Sequence, residues 1–372
     1  MHLALRPRAG ARVYWARDKG RRTATALMDT ARQHKRVLSG IQPTGNLHIG
    51  NYLGALLQWV RFQEQYDAYY CVVDLHAITV PHDASQLRAH TLEVTALYLA
   101  AGLDPQRATI FVQSHNPAHA ELAWLLTCLT PLGWLNRMTQ YKDKAARQQE
   151  ESVNAGLLGY PVLMAGDILL YQAHYVPVGD DQRQHVELTR DLGQRFNSLF
   201  GETFTLPEVV NPETGARVMG LDEPNSKMSK SASGENHAIF LLDPPDLIRR
   251  KIMRATTDSG REIRFSDDPA KAGVNNLLTI YQALTHGERN AVEAEFDGRG
   301  YGDLKKAVVA AVTDTLAPLQ ERYREISAEP GYVEQVLADG AERAAAISER
   351  TLKSVKDQMG FLEPARRWPG AG

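Results

Sequence analysis

What the chain lacks narrows its class before any motif is sought. Its 372 residues include only two cysteines. Cys71 and Cys128 form no CxxC pair, which argues against a zinc knuckle, an iron–sulfur centre or a disulfide framework and points to a reducing, cytoplasmic compartment. Apolar runs are short, Tyr69–Val73 being typical, and fall far below the roughly 20 residues that span a bilayer. No membrane association is therefore expected. A GxGxxG turn after a strand, a GxxxxGK[ST] loop, HExxH and GxSxG are all missing, which disfavours the common dinucleotide, P-loop, zinc-protease and hydrolase chemistries. No metal cluster is expected.

A large net charge is missing too. The formal value of −2 sets, taken alone, a low expectation of nucleic-acid binding. That average hides a segregation. Residues 1–36 hold ten basic and two acidic side chains, a net of +8; residues 37–243 hold 13 and 22, a net of −9; residues 244–372 carry −1. The leader, 1–36, is Arg-rich and lacks the apolar stretch of a secretory signal. It reads as a disordered tail or as upstream sequence from a start placed too early, with a transit peptide or a basic arm for RNA as the other readings. Met28 is an in-frame alternative start. Beginning there would remove seven basic and one acidic residue and leave a net of −8.

From Val37 onward, strands and helices alternate. Val37–Ile41 reads as a strand that runs into a Pro43-Thr44-Gly45 turn. A helix follows from about His48, with Leu53, Leu56, Leu57 and Val60 on one face. Ala68–Val73 and Thr109–Val112 are further strands, separated by a helix that Asp83 and Gln86 cap and Gly102 ends. Strands joined through helices predict an α/β, doubly wound parallel sheet of Rossmann type. Ligands then bind at the carboxyl ends of the strands, which brings Gly40–Gly50, Asp74–His76 and Gln113–His115 to one mouth. After about Asp243 the strand signal stops. Leu247–Ala255, Asn276–Leu284, Leu304–Glu321 and Val333–Met359 read as helices. The expected domains are therefore a catalytic sheet domain, 37–243, and an all-helical domain, 244–372.

Two short elements carry chemistry. Gln42-Pro43-Thr44-Gly45-Asn46-Leu47-His48-Ile49-Gly50-Asn51 is a strand-to-helix turn. Its glycines let backbone approach a flat ligand, and the imidazole of His48 and the amide of Asn51 can donate to phosphate at a helix N-terminus. Lys227-Met228-Ser229-Lys230-Ser231 puts two ammonium groups and two hydroxyls on a loop, a set suited to charge that migrates over phosphates. Each alone has an ordinary reading, as a capped turn or a solvated loop. Together, in this order across a parallel sheet, they point to nucleotide chemistry.

These elements resemble the HIGH-like and KMSKS signatures of class I aminoacyl-tRNA synthetases, and the likeness is to the bacterial tryptophanyl-tRNA synthetases. SGIQPTGNLHIGNYLGAL, VVDLHAIT, NRMTQYKDK, YPVLMAGDILLY and VPVGDDQRQHVELTRDL share it, and it extends from about Val37 to about Met359. The resemblance implies ATP as substrate, Mg²⁺ carried by the nucleotide, and L-tryptophan and tRNA(Trp) as partners of a homodimer. It assigns Gln42, Pro43, Thr44, Gly50, Asn51, Gly179, Asp180, Asp181 and Val218 to ATP. Lys227, Met228, Ser229, Lys230 and Ser231 would hold the phosphates, and Lys144 would reach the departing pyrophosphate. Lys227, Lys230, His48 and Asn51 are the expected catalytic groups, stabilising phosphate charge without a covalent intermediate.

Tyr160, Met164 and Asp167 share one helix face at i, i+4 and i+7. Indole offers one N–H donor and no acceptor, so a buried Asp167 is a fitting partner, in an apolar slot lined by Met164 and Ile168. The plain alternative is an ordinary core helix with Asp167 as a cap or ion pair. In tyrosyl-tRNA synthetases the same face resembles Tyr–Gln–Asp, the Gln gripping the α-amino group; Met164 cannot do that. Leaving the buried Asp unpaired would reject phenylalanine-like substrates. The likeness also places Tyr160 and Gln182 at the α-amino group, Gln42 at the carboxylate, and His76 and Gly40 in the tryptophan pocket. Three departures stand out: Ala232 after Ser231, Leu38 where an aromatic is common, and a small insertion at Arg147–Glu150. The helix around Leu247–Ala255 carries Arg249, Arg250, Lys251 and Arg254; these do not all face one side, so part of the run reads as plain solvated surface, and the resemblance implies tRNA backbone contacts from a few such residues. A tyrosine ligase and a non-catalytic synthetase-like binder of tRNA are the competing readings.

Overall fold

The computed structural model describes residues 35–140, 154–210, 217–229 and 234–363. Five parallel strands form one sheet in the order β3-β2-β1-β4-β5: β1 (Arg36–Ile41), β2 (Asp67–Val72), β3 (Ala108–Val112), β4 (Tyr175–Pro177) and β5 (Glu208–Val210). In register, Leu38 lies beside Tyr69 and Gly40 beside Cys71. All of β3 is buried, as a parallel strand covered on both faces requires. The chain steps outward from β1 to β3, then returns to lay β4 on the free side of β1. That reversal opens a crevice at the strands' carboxyl ends. β4 and β5 were not legible beforehand: each has three residues, too few for periodicity, and each is extended because a neighbour supplies hydrogen bonds.

The helix after β1, α1, begins at Ile49–Asn51, widens into a π-helical segment at Tyr52–Leu56 and resumes at Leu57–Phe62. A π turn inserts one extra residue into the repeat. The buried face is therefore Tyr52, Leu53, Leu56 and Trp59, while Leu57 and Val60, expected on it, are half-buried. Trp59 stacks on Tyr70 of β2 with ring centroids 4.6 Å apart, and the Tyr70 hydroxyl donates to the Trp59 carbonyl at 2.9 Å.

The helices α2 (Asp74–Ala77) and α3 (Ala84–Ala100) come next, followed after β3 by α4 (Ala118–Leu129) and α5 (Leu132–Leu135). Asp83 caps α3, its Oδ1 accepting from the Ser85 and Gln86 N–H groups at 2.8 and 3.2 Å, and Gly102 leaves it at φ +109°. α6 (Ala155–Leu170) and α7 (Arg183–Phe200) flank β4. Beyond β5 the described elements are helices: α8 (Pro245–Met253), α9 (Ala272–Thr285), α10 (Arg289–Glu295), α11 (Tyr301–Ser327) and α12 (Pro330–Gln358).

These later helices share the core of the sheet. Val308, Val312 and Leu316 of α11 belong to the same buried apolar cluster as Val94 and Leu97 of α3. α12 crosses β3 so closely that a Cβ on Gly340 would stand 1.7 Å from the Ile110 carbonyl oxygen. Arg322 and Arg343 donate to the Ala100 and Pro105 carbonyls at 2.7 and 2.8 Å. One member of the basic run leaves the surface: Lys251 is buried, with its ammonium donating to Asp243 at 2.6 Å and to the Ala238 carbonyl at 2.8 Å. It ties α8 to the segment that precedes it and is a structural ion pair, not an RNA contact.

Candidate active site

A cavity of about 210 Å³ lies at the β1/β4 reversal. This is below the roughly 300–1,000 Å³ of pockets for drug-sized ligands and suits one amino-acid side chain. Leu38 and Gly40 line it from β1, Cys71 from β2, His76 from α2, Tyr160, Met164, Asp167 and Ile168 from α6, Gln42 from the turn after β1 and Gln182 from the 3₁₀ turn that leads into α7. Every residue assigned to tryptophan from the sequence is thus brought to one cavity. Gly40 has a steric reason: a Cβ there would meet the Cys71 carbonyl oxygen at 2.7 Å, so no larger residue fits between the strands. Leu38 makes its part of the wall aliphatic.

Asp167 sits at the base, 5% exposed. Its Oδ1 accepts from Gln113 Nε2 at 2.7 Å and His119 Nδ1 at 2.6 Å, and its Oδ2 accepts from His76 Nε2 at 2.7 Å. Burial opposes ionisation, but the hydrogen bonds from His119 and His76 and the charge of His76 outweigh it and hold the carboxyl below the usual carboxylate range. A carboxylate offers about four lone-pair positions. Two donors fill Oδ1 and one occupies half of Oδ2, so one acceptor position remains. Tyr160 caps the slot, its hydroxyl 3.0 Å from His185 Nε2. Burial, with the charge of Asp181, raises the Tyr160 phenol to about 12, so it stays a neutral donor.

The turn after β1 is built for backbone approach. Gly45 takes φ +103°, a conformation that only glycine adopts cheaply, and Pro43 is buried while Thr44 is exposed. His48 is the N-cap of α1. Asn51 Oδ1 accepts from the His48 N–H at 3.0 Å, which leaves the amide nitrogen of Asn51 as the group able to reach a ligand. A Cβ on Gly50 would lie 2.9 Å from the His48 ring, so the bare glycine leaves the room that imidazole occupies. The Ile49 N–H donates to Ile239 O at 2.9 Å, and the Leu241 N–H to Leu47 O at 2.8 Å. These two bonds stitch the first signature element to the chain just past the second.

At the second element, the Met228 N–H donates to Val218 O at 3.1 Å. Both side chains are buried, so their contribution to a nucleotide would come from backbone. Lys227, 56% exposed, holds Asp181 at 3.1 Å. Burial opposes the charge of Asp181, but Gln182 and Lys227 keep its carboxyl below the usual range. The two assignments to ATP therefore meet as an ion pair beside the exposed Gly179 and Asp180. Ser229 is described at the loop's edge; Lys230, Ser231 and Lys144, with the Ala232 departure and the insertion at 147–150, lie outside the described residues.

Gln113, placed at the mouth by the sequence, and His119, not placed there, both have a role at Asp167 that the sequence did not assign. Gln113 is fully buried and bridges two elements, accepting from the Leu75 N–H at 3.1 Å while donating to Asp167. His119 is fully buried on α4. It shares a face with Leu122 and Leu126 at i, i+3 and i+7, and a polar residue on that apolar stripe was the signal available.

A parallel sheet with an amino-acid-sized cavity at its reversal, flanked by these two elements, defines a class. Residues 30–317 match the family of tRNA synthetases class I (W and Y), and the chain belongs to that family. Its relatives include the tryptophan–tRNA ligase of Caldanaerobacter subterraneus subsp. tengcongensis, 56% identical over 88% of this chain and 99% of its own length. The crystal structure of tryptophanyl-tRNA synthetase from Mycoplasma pneumoniae matches with a TM-score of 0.83 at 41% identity, covering 88% of this chain and 98% of that one. The Campylobacter jejuni enzyme, crystallised with ADP and tryptophan, matches with a TM-score of 0.74 at 34% identity, over 88% and 100%.

Proposed function

We propose that the chain is a tryptophan–tRNA ligase. It activates L-tryptophan with ATP to the adenylate, releasing pyrophosphate, and passes the tryptophan to the 3′ end of tRNA(Trp). One observation carries the choice of a ring that bears an N–H: the buried Asp167 carboxylate keeps a single acceptor position in a slot whose apolar walls include Met164, Ile168, Leu38 and Val176. An indole N–H fills that position, and the apolar walls take the ring. A phenol O–H can donate there too, so the choice against tyrosine rests on Met164, which offers the α-amino group nothing.

The rest of the substrate follows the cavity outward. Tyr160 and Gln182 take the α-amino group, and Gln42 orients the carboxylate toward the nucleotide. ATP, with its Mg²⁺, lies along the turn at 42–51 and the Gly179–Asp181 segment, where the Asn51 amide, the Thr44 region and the start of α1 offer donors to phosphate. A carboxylate oxygen of tryptophan attacks the α-phosphate in line as the bond to pyrophosphate breaks. Lys227 and Lys230 stabilise the charge that develops on the phosphates. A terminal ribose hydroxyl of the tRNA then attacks the adenylate carbonyl and AMP leaves. The exposed Arg249, Arg250 and Arg254 contribute to backbone contacts with the tRNA. The enzyme works in the cytoplasm as a homodimer, as its likeness to the family implies.

ATP–pyrophosphate exchange with each of the twenty amino acids tests the reading. Exchange with tryptophan alone is the expected result. Exchange with tyrosine instead, or with none of them, overturns it.

A further inference from the structure

Asp167 is the end of a longer buried chain of polar groups. From Oδ1 the chain runs to His119 Nδ1 at 2.6 Å, from His119 Nε2 to the Tyr171 hydroxyl at 2.8 Å, from that hydroxyl to Asn116 Nδ2 at 3.0 Å, and from Asn116 Nδ2 to Ser348 Oγ at 2.6 Å. Ser348 belongs to α12, 181 residues along the chain from Asp167. Asn116 is 3% exposed, and His119, Tyr171 and Ser348 are fully buried, so no solvent can substitute for a missing partner.

The direction of every hydrogen bond in the chain is determined. The Ala118 N–H donates to Asn116 Oδ1 at 3.2 Å, which fixes the other end of that amide as nitrogen. An amide nitrogen only donates, so both Ser348 Oγ and the Tyr171 oxygen accept from it. Ser348 passes its own proton to the Ala345 carbonyl at 3.2 Å. Tyr171, already accepting, has one partner left for its O–H, which is His119 Nε2. That nitrogen must then be the acceptor, and the ring proton lies on Nδ1, facing Asp167. Gln113 is fixed in the same way by the Leu75 N–H it accepts.

We infer that Asn116, Tyr171 and His119 are positioning residues for amino-acid specificity: their one-way hydrogen-bond chain keeps His119 a donor to Asp167 Oδ1 and so leaves Asp167 Oδ2 turned to the substrate N–H. The inference rests on the assignment of Asp167 to the indole. It also makes α12, through Ser348, part of the amino-acid site although it touches no substrate. With the Tyr171 hydroxyl gone, His119 Nε2 becomes a buried acceptor without its donor, and the ring loses the contact that sets its angle to Asp167. A buried acceptor left unpaired costs about 1–3 kcal/mol, and a ring that shifts to relieve it no longer aims Nδ1–H at Oδ1.

The test compares L-tryptophan with 3-benzothienylalanine, which has the same bicyclic shape with sulfur in place of the N–H, by kcat/KM in pyrophosphate exchange. Tyr171→Phe should cut the wild-type preference for tryptophan about tenfold, through KM for tryptophan and with KM for ATP unchanged. His119→Asn places an amide N–H where Nδ1–H stood, and should retain most of the preference; His119→Leu should lose it. Ser348→Ala should move the preference in the same direction as Tyr171→Phe. An unchanged preference in Tyr171→Phe, or equal losses in His119→Asn and His119→Leu, overturns the inference. If Tyr171→Phe does not fold, the two His119 variants decide. A wild-type enzyme with no preference between the two amino acids would instead defeat the assignment of Asp167 to the indole.

Discussion

Replacing Asp167 with Asn keeps the side-chain volume and one acceptor oxygen, so its effect can be worked from the three donors around it. Gln113 and His119 both aim at Oδ1, and only His76 aims at Oδ2. The Asn oxygen therefore settles on the doubly bonded side and the amide nitrogen on the other. The free acceptor position of the slot becomes a donor. An incoming indole N–H then loses a hydrogen bond to a charged group, worth about 1.5–3 kcal/mol. At roughly 1.36 kcal/mol per factor of ten, kcat/KM for tryptophan should fall about 10- to 150-fold. The phosphate side is built from other elements, so KM for ATP should hold. Pyrophosphate exchange measures both constants. The decisive control is 3-benzothienylalanine, which has no N–H to lose and should be activated by Asp167→Asn nearly as well as by wild type. If both substrates fall together, the carboxylate serves only the fold and the reasoning from lone pairs is refuted.

The same carboxylate has a pH signature. Its pKa is depressed in the folded state, so its stabilisation is complete above the unfolded value near 3.9 and is lost as pH falls from there toward the folded value. The gap in urea midpoint between wild type and Asp167→Asn should narrow below about pH 4; a constant gap down to pH 3 would mean that the group is not an ionised acceptor. Gly340→Ala would press a methyl group onto the Ile110 carbonyl at 1.7 Å, and overpacking against rigid backbone should cost at least about 1–3 kcal/mol. Gly331→Ala, on the same helix with nothing within 4 Å, should be neutral or stabilising, and thermal melts of the pair separate crowding from a general intolerance of α12. Lys227→Ala breaks an exposed ion pair worth less than about 1 kcal/mol, so its melt should barely move while the rate of adenylate formation drops; a normal rate would take Lys227 out of the phosphate site. Lys230→Ala should likewise slow adenylate formation far more than it weakens tryptophan binding, and equal losses in the two measurements would contradict a transition-state role.

Much of this was readable from the chain alone because it obeys local rules. β1, β2 and β3 are apolar runs long enough to be seen, α3 carries its own cap and stop, and the two signature elements keep fixed internal spacing. One wall of the cavity was readable because Tyr160, Met164 and Asp167 repeat with the helix. What stayed hidden depends on partners far along the chain. β4 is a strand because Val37 pairs with Tyr175; nothing within three residues says so. Lys251 looks like one more surface cation until Asp243 is found 2.6 Å away. Gln113 and His119 matter only through a carboxylate that lies 54 and 48 positions later. Such supporting groups follow no motif, since any fold that points a donor at Asp167 would serve.

The π turn in α1 has a consequence for how this region tolerates change in length. A regular helix advances about 100° per residue, but a π turn fits one more residue into the same revolution. Losing one residue from Tyr52–Leu56 would therefore close that turn to an ordinary one and leave Trp59 facing Tyr70, with His48 held upstream by its bridge to Phe240. A deletion in Leu57–Phe62 has no such slack and would rotate everything after it by that angle. The wide turn is thus a reserve of length: single-residue deletions should be better tolerated inside it than in the regular turns that follow.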